Sequence, residues 1–261
     1  MTTPLIHPSA IIDPQAELDG SVKVGAYSII GANVTIDAET EIAPHVVING
    51  ATTIGKRNKI YQFASLGEIS QDKKYAGEAE TYLAIGDDNT IREYCSMNRG
   101  TIQGGGYTRI GNHNWIMAYV HIAHDCQIKD HTIFANGASL AGHVLVEDYA
   151  IMGGFSGVHQ FCNIGQHCFV AAGSIILKDV SPFITASGHP ATTHGLNSEG
   201  LKRHGFSRET LRCLRQAYKI IYRQNLTLKQ AIEQLHLLVK ECPEVQHFID
   251  FLSKSSRGIV R

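Results

Sequence analysis

Residues 24–66 read VGAYSI IGANVT IDAETE IAPHVV INGATT IGKRNK IYQFAS L, and an aliphatic side chain opens every hexad. The phase begins earlier than the quoted stretch. Ile6, Ile12, Leu18, Val24, Ile30, Ile36, Ile42, Ile48, Ile54, Ile60 and Leu66 occupy eleven consecutive sixth positions. A fixed period is the mark of a repeat architecture. Six is neither the 3.6 of a helix nor the 2 of a half-buried strand. It fits a coil of three short strands, six residues each, with one aliphatic side chain per flat face pointing inward.

The phase breaks at residues 67–84, resumes at Ile85, Ile91 and Met97, and breaks again at 103–109. It then runs from Ile110 through Ile116, Ile122, Ile128, Phe134, Leu140, Val146, Met152, Val158, Ile164 and Val170 to Ile176. Both breaks are expected to leave the coil as loops. The second hexad position is often glycine (Gly25, Gly31, Gly55, Gly86, Gly111, Gly165), read here as the demand of a tight corner. The fifth is small or β-branched, as at Ser28, Thr40, Thr52, Ala64, Thr132 and Ala138. Such hexads resemble the hexapeptide-repeat family, whose fold is a left-handed parallel β-helix. The hand comes from that resemblance, because general crossover rules favour the right. The resemblance also implies a homotrimer.

After about Pro182 the period gives way to a helical pattern. Ser207 can cap a helix reaching Arg223, Thr227 with Gln230 forms a capping box, and Pro243 opens a last helix. The fold class is therefore an all-β solenoid with a small α domain: residues 1–189 as the β-helix and 190–261 as a C-terminal helical domain. The open cross-section of a solenoid needs a cover, and the apolar stripe Leu211, Leu214, Tyr218 and Ile221 suits that task.

The 261 residues carry a net charge of −1, which gives no reason to expect nucleic acid or an anionic membrane as partner. The first residues do not read as a signal peptide, and no apolar run approaches the ~20 residues of a spanning helix. A cytoplasmic protein without membrane insertion is expected. The six cysteines contain no CxxC pair. Cys95, Cys126, Cys162 and Cys168 fall on the inward fifth position and read as buried free thiols, with no metal and no cofactor expected.

One coil is ~18 residues and adjacent coils are ~4.8 Å apart, so residues 18 apart stack directly. His124, Gly142 and Gln160 form one column. Asp125, His143 and Phe161 form the next, and Ala123, Ala141 and His159 flank them on the other side. His121 precedes the same corner. A histidine followed by an aspartate suits a general base held by a carboxylate. Gly142 leaves room above it and offers a backbone N–H for an oxyanion.

The segments Gln62-Phe-Ala-Ser-Leu-Gly-Glu68, Gln71-Asp-Lys-Lys-Tyr-Ala-Gly77, His121-Ile-Ala-His-Asp-Cys126, Ala141-Gly-His143, Val158-His-Gln-Phe-Cys162 and Asn197-Ser-Glu-Gly-Leu-Lys-Arg203 resemble one family closely. It is that of the UDP-N-acetylglucosamine O-acyltransferases, which begin lipid A synthesis, and the likeness spans nearly the whole chain. The resemblance implies that His124 deprotonates the sugar 3-hydroxyl for attack on a 3-hydroxyacyl thioester carried by acyl carrier protein. Asp125 then orients His124, Gly142 receives the oxyanion, and no acyl-enzyme forms.

By the same resemblance His121, His143, His159 and Gln160 contact substrate. Asp72 and Lys74 meet the sugar nucleotide from the neighbouring subunit, and Asn197, Glu199 and Arg203 supply further nucleotide and phosphate contacts. Two positions depart from the pattern. After Arg203 stands His204 in place of a second basic residue, so either diphosphate binding becomes more pH-dependent or the position carries little weight. Ala172 replaces a smaller residue at the end of the acyl groove and implies a shorter acyl chain. Arg208, Arg212, Arg215 and Lys219 lie on one helical stripe, either a solvated face or a dock for the acidic carrier protein.

Three rivals remain at this level. The sister N-acyltransferase of the same pathway has an additional N-terminal domain, whereas here hexads begin at Ile6. A zinc hydratase of the γ-carbonic-anhydrase type would use His113, His131 and His167, but Tyr149 interrupts that column and no further histidine follows through Gly173. A purely structural solenoid would need none of the His-Asp and His-Gln corners.

Overall fold

A computed structural model describes residues 5–77 and 81–261; residues 78–80 of the first expected loop lie outside that range. The described residues form a left-handed parallel β-helix followed by helices. Their strands make three flat sheets of nine, eight and ten strands, each strand pairing with the one a full coil away. The first face runs from Ile11–Ile12 to Ile175–Ile176, the second from Glu17–Leu18 to Asn163–Ile164, and the third from Lys23–Val24 to Phe169–Val170. The third face also takes in a closing hairpin.

The hexad phase translates directly into burial. Ile30, Ile48, Leu66, Met97, Ile122 and Leu140 form one column of the first face, each at most 1 % exposed. Full burial of such a side chain is worth roughly 1.5–3 kcal/mol. Ser28, Thr40, Thr52 and Thr132 are buried at the fifth position beside them. Ser28 and Thr40 close their hydroxyls onto the carbonyls of Ala43 and Gly55, at 2.8 Å each, so burial leaves no unpaired donor.

The corners differ from the sequence reading in an informative way. The residue with left-handed backbone is the fourth of the hexad, and it is usually large: Tyr27 at φ 59°, Phe63 at 64°, Asp125 at 61°, His143 at 60°. The second-position glycines answer to crowding instead. A Cβ on Gly25 would stand 2.5 Å from the backbone nitrogen of Pro44, and at the third position one on Gly142 would stand 2.5 Å from the His124 ring. Stacking offsets the left-handed strain at the fourth position. Tyr27, His45, Phe63, Tyr94 and Tyr119 form a ladder along the edge between third and first faces, with centroids 4.8–5.4 Å apart. His113, His131, Tyr149 and His167 form another between second and third faces, at 4.6–4.9 Å.

Both breaks leave the coil and return to the same register. Stacked residues are 31 apart across the first, as Ser65 and Ser96, and 25 apart across the second, as Ser96 and His121. Strand structure continues through Glu68 and resumes at Tyr82, so the first loop is narrower than 67–84. In the second, Ile102–Gly104 is a turn of 3-10 helix and the strand restarts at Tyr107.

The end of the coil also departs from expectation. Ile184–Gly188 and Ala191–Leu196 form an antiparallel hairpin on the third face, across the expected division at 189–190, and helices begin only at Ser198. The helices are α1 (Ser198–Arg203), α2 (Arg208–Arg223), α3 (Leu228–Val239) and α4 (Val245–Lys254). Ser207 caps α2 and the Thr227–Gln230 box caps α3, as the sequence indicates; Pro243 stands two residues ahead of α4 rather than within it. Phe206, His247 and Phe248 pack edge-on against Phe183, closing the last coil. The Tyr222 hydroxyl reaches Ser181 at 2.8 Å from the same side.

His167 ends its ladder beneath this cap, with a buried Nδ1 that has no partner. Burial, with His204 and His247 nearby, lowers its pKa to about 4. An unfolded histidine takes a proton near pH 6.5. As pH falls from there toward about 4, the unfolded chain gains a proton that the folded chain refuses, and stability drops. His167→Phe keeps the stack without titrating. Its melting temperature is expected to fall less than that of the wild type between about pH 7 and about pH 4.5; parallel losses would assign the acid sensitivity elsewhere.

Candidate functional site

The edge between first and second faces carries the reactive groups. His124 and Asp125 are the third and fourth residues of one hexad, so the corner turns both toward the edge. Asp125 tolerates the left-handed position there, and the Thr108 hydroxyl accepts its N–H at 2.8 Å. His124 Nδ1 lies 2.8 Å from Asp125 Oδ2. One coil on, the His143 N–H donates to the His124 carbonyl at 3.0 Å, setting His143 over Asp125 with Nε2 3.6 Å from Oδ2. Phe161 stacks on His143 at 4.4 Å in turn.

Gly142 covers His124. Its missing side chain is what admits the imidazole, as Nε2 would stand 2.7 Å from a Cβ at that position. Gly142 is buried, and its N–H has no hydrogen bond among the described residues. This leaves a donor beside the free ring nitrogen.

The charge states follow from the surroundings. Burial pushes the Asp125 carboxyl up, but hydrogen bonds from His124 and from the Thr101 N–H and hydroxyl, with His143 close by, outweigh it. The carboxyl is held below the usual range and is an anion. It accepts the Nδ1 proton of His124, leaving Nε2 as a lone pair facing the edge. Burial lowers the pKa of His121 and, against the attraction of Asp125, that of His143. His121 Nδ1 meets the Ser96 hydroxyl at 2.8 Å.

A groove of about 460 Å³ runs over the first face between His121 and His159, floored by Ser139, Ala141 and Gly157. Its lining is apolar apart from the histidines and the serine. His159 and Gln160 are exposed beside it. Ala172 is exposed at the corner between third and first faces, across the face from His124, and does not itself line the groove. A larger cleft of about 570 Å³ lies over Lys23, Glu41 and Lys59 of the early coils. The Lys23–Glu41 pair there, at 2.7 Å, offers no poised base.

The other expected residues divide between two edges. Asp72 and Lys74, expected to serve a neighbouring subunit, line a recess of about 30 Å³ with Thr101, His124 and His143 of their own chain. The loop folds back because Asp72 closes an Asx turn, Oδ1 accepting the Lys74 N–H at 2.9 Å. Asn197, Glu199 and Arg203 stand at the opposite edge of the second face, on α1. Asn197 caps that helix, taking the Gly200 N–H at 3.1 Å and donating to the His167 carbonyl at 3.0 Å. Glu199 pairs with Lys202 at 2.6 Å, and Arg203 is exposed. His204 lies edge-on to Tyr149 and His167. Arg208, Arg212, Arg215 and Lys219 are all exposed on α2.

Thr101 is the residue that the repeat pattern misses. Its N–H meets Asp125 Oδ1 at 2.8 Å and its hydroxyl meets Oδ2 at 2.7 Å. It falls at the fifth position counted from Met97, where the count reads it as an inward filler, but the chain has already left the coil after Asn98; the Thr-x-x-Gly sequence of its turn is the one available signal. His124, Asp125 and His143 bring ligand atoms within 4.8 Å of one another, close enough to share a cation. Both Asp125 oxygens already accept hydrogen bonds, from Thr101 and His124. In the suspected zinc column the rings of His113 and His131 are stacked 7° from parallel, with Tyr149 next in line. Their in-plane lone pairs do not converge.

Comparison with known proteins agrees with this geometry. Residues 107–142 match the bacterial transferase hexapeptide family, and residues 179–260 match the family described as UDP N-acetylglucosamine O-acyltransferase, domain 2. The acyl-(acyl-carrier-protein)–UDP-N-acetylglucosamine O-acyltransferase of Thiobacillus denitrificans is 57 % identical over 98 % of this chain and 99 % of its own length. That of Herminiimonas arsenicoxydans is 54 % identical over the same shares. The solved LpxA structure from Acinetobacter baumannii superposes with a TM-score of 0.97 at 51 % identity, covering 98 % of this chain and all of its own. The UDP-N-acetylglucosamine O-acyltransferase structure from Moraxella catarrhalis gives 0.96 at 49 %, over 98 % and 99 %. At this identity over its whole length, the chain belongs to the acyl-(acyl-carrier-protein)–UDP-N-acetylglucosamine O-acyltransferase family.

Proposed function

We propose that the chain transfers a 3-hydroxyacyl group from acyl carrier protein to the 3-hydroxyl of UDP-N-acetylglucosamine, with His124 as general base. The observation that carries this is the His124–Asp125 bond of 2.8 Å, which leaves Nε2 free beneath the side-chain-free Gly142. Nε2 takes the hydroxyl proton as the sugar oxygen attacks the thioester carbon. The Gly142 N–H receives the carbonyl oxygen as it becomes an anion. Collapse of the tetrahedral adduct breaks the C–S bond, and the proton passes from Nε2 to the departing sulfur. Asp125 stabilises the imidazolium between these steps and keeps its own charge.

No cysteine is needed as a nucleophile. Burial raises the Cys95 thiol to about 11 and that of Cys126 to about 12, so neither is a thiolate at neutral pH. His121, His143, His159 and Gln160 border the groove and contact substrate, with the acyl chain lying along the first face toward Ala172. The methyl there favours shorter donors than a glycine would. Asp72 and Lys74 meet the sugar nucleotide from the same side as the base.

The split between edges supports a homotrimer. Asn197, Glu199 and Arg203 cannot serve the His124 of their own chain across the second face. They complete the site of a neighbour whose first–second edge lies against them, as cyclic symmetry permits. Exposed basic residues on α2 offer the acidic carrier protein a surface.

Three measurements test this. Mass spectrometry of products from UDP-N-acetylglucosamine and 3-hydroxyacyl carrier proteins of several lengths should find a 3-O-acyl product, richest with shorter donors. His124→Ala should lower its formation by about 10²–10⁴-fold; undiminished product would discard His124 as the base. Mixing inactive His124→Ala chains with Arg203→Glu chains should restore activity, up to about a quarter of the wild-type rate for random trimers. No recovery would place the site within one chain. Arg212→Glu with Arg215→Glu should raise the donor KM and weaken its salt dependence, and an unmoved KM would return that stripe to solvent.

A further inference from the structure

The Asp125 carboxylate is buried at 4 % exposure, and a single residue of the second excursion grips both of its oxygens. Held at both ends by Thr101, the group cannot rotate about its own axis without losing one bond or both. The Thr101 hydroxyl has one proton to give. It accepts from the Gly104 N–H at 3.2 Å, which leaves its proton for Asp125 Oδ2 at 2.7 Å. The hydrogen bonds therefore run in one direction, from the Gly104 N–H through Thr101 to the oxygen that His124 Nδ1 also addresses. Gly104 is required for this approach, because a Cβ there would overlap the Asp125 carboxyl. His143 Nε2, at 3.6 Å, is too far from Oδ2 to replace the hydroxyl.

We propose that Thr101 is a positioning residue for the acyl transfer: its hydroxyl and N–H fix the Asp125 carboxylate, and through it the tautomer and aim of His124. This rests on His124 being the base. Thr101 touches no reacting atom in that mechanism, and its effect passes through Asp125.

Thr101→Val keeps the shape and the backbone bond to Oδ1 but removes the hydroxyl. A hydrogen bond to a charged group is lost, and kcat is expected to fall roughly tenfold or more, with KM for both substrates within about twofold. Thr101→Ser keeps the hydroxyl and should recover the rate. Wild-type kcat in Thr101→Val would overturn the proposal, as would Thr101→Ser as impaired as the valine variant.

Proton NMR of histidine-labelled protein, with His124→Ala as the assignment control, separates this from the choice of base. The hydrogen-bonded Nδ1–H signal of His124 should exchange away in Thr101→Val and persist in Thr101→Ser. That signal depends on the held carboxylate whatever reaction is catalysed. An active His124→Ala variant would remove the base but leave this readout, and a persisting signal in Thr101→Val would remove Thr101.

Discussion

Everything in this molecule depends on the in-register hydrogen bonding of one coil to the next. Each two-residue strand pairs with its equivalent a coil away, so a residue's surroundings are set by its phase in the hexad. The aliphatic at the first position meets its own kind above and below, and the column excludes water without any help from long strands. The same registration repeats the corner residues at the strand spacing. That is why flat rings can follow one another there, and why left-handed backbone is tolerated at residues as large as Tyr94 and Phe161. One constraint thus makes both the core and the edges on which the chemistry stands.

Registration also explains how a rigid scaffold can carry loops near its site. The two excursions insert residues without shifting the pairing, since Ser96 still lies over Ser65 and His121 over Ser96. Each insertion leaves from the same edge and folds toward the coils that follow. The first brings Asp72 and Lys74 over His124 and His143; the second brings Thr101 onto Asp125. The coil provides the column of reactive side chains, and the excursions provide the groups that hold them.

The parts legible in the sequence were those that obey the repeat. Inward positions, the His124–Gly142 column and the buried cysteines all follow from counting in sixes. The glycines at the second position were visible, but their cause was not, because crowding by Pro44 or by Pro182 is a property of the adjacent coil. Thr101 counts as a fifth-position filler after Met97, but the chain leaves the coil at Asn98 and carries it to a partner 24 residues on. The hairpin at 184–196 escaped because Ile-Thr-Ala-Ser-Gly alternates over only four residues, and Ala-Thr-Thr-His-Gly-Leu has apolar side chains only at its ends. The side from which Asp72 and Lys74 reach the site depends on how a loop folds back, and no repeat encodes that.

Histidines are numerous in this chain, yet the site uses them in different charge states, and the reason is geometric. His121 and His143 are kept neutral by burial, so they can accept or donate hydrogen bonds without adding charge to an apolar groove. Asp125 is the buried anion, fixed by Thr101 and aimed at one nitrogen of His124. A proton arriving at His124 Nε2 therefore creates an ion pair inside the wall, where the low dielectric strengthens it. A proton arriving at His143 would meet the same carboxylate only at 3.6 Å and would have to be desolvated as well. The difference separates His124 from chemically identical rings and supports the proposal that it is the base; it arises from a hydrogen-bond length set by the corner of one coil.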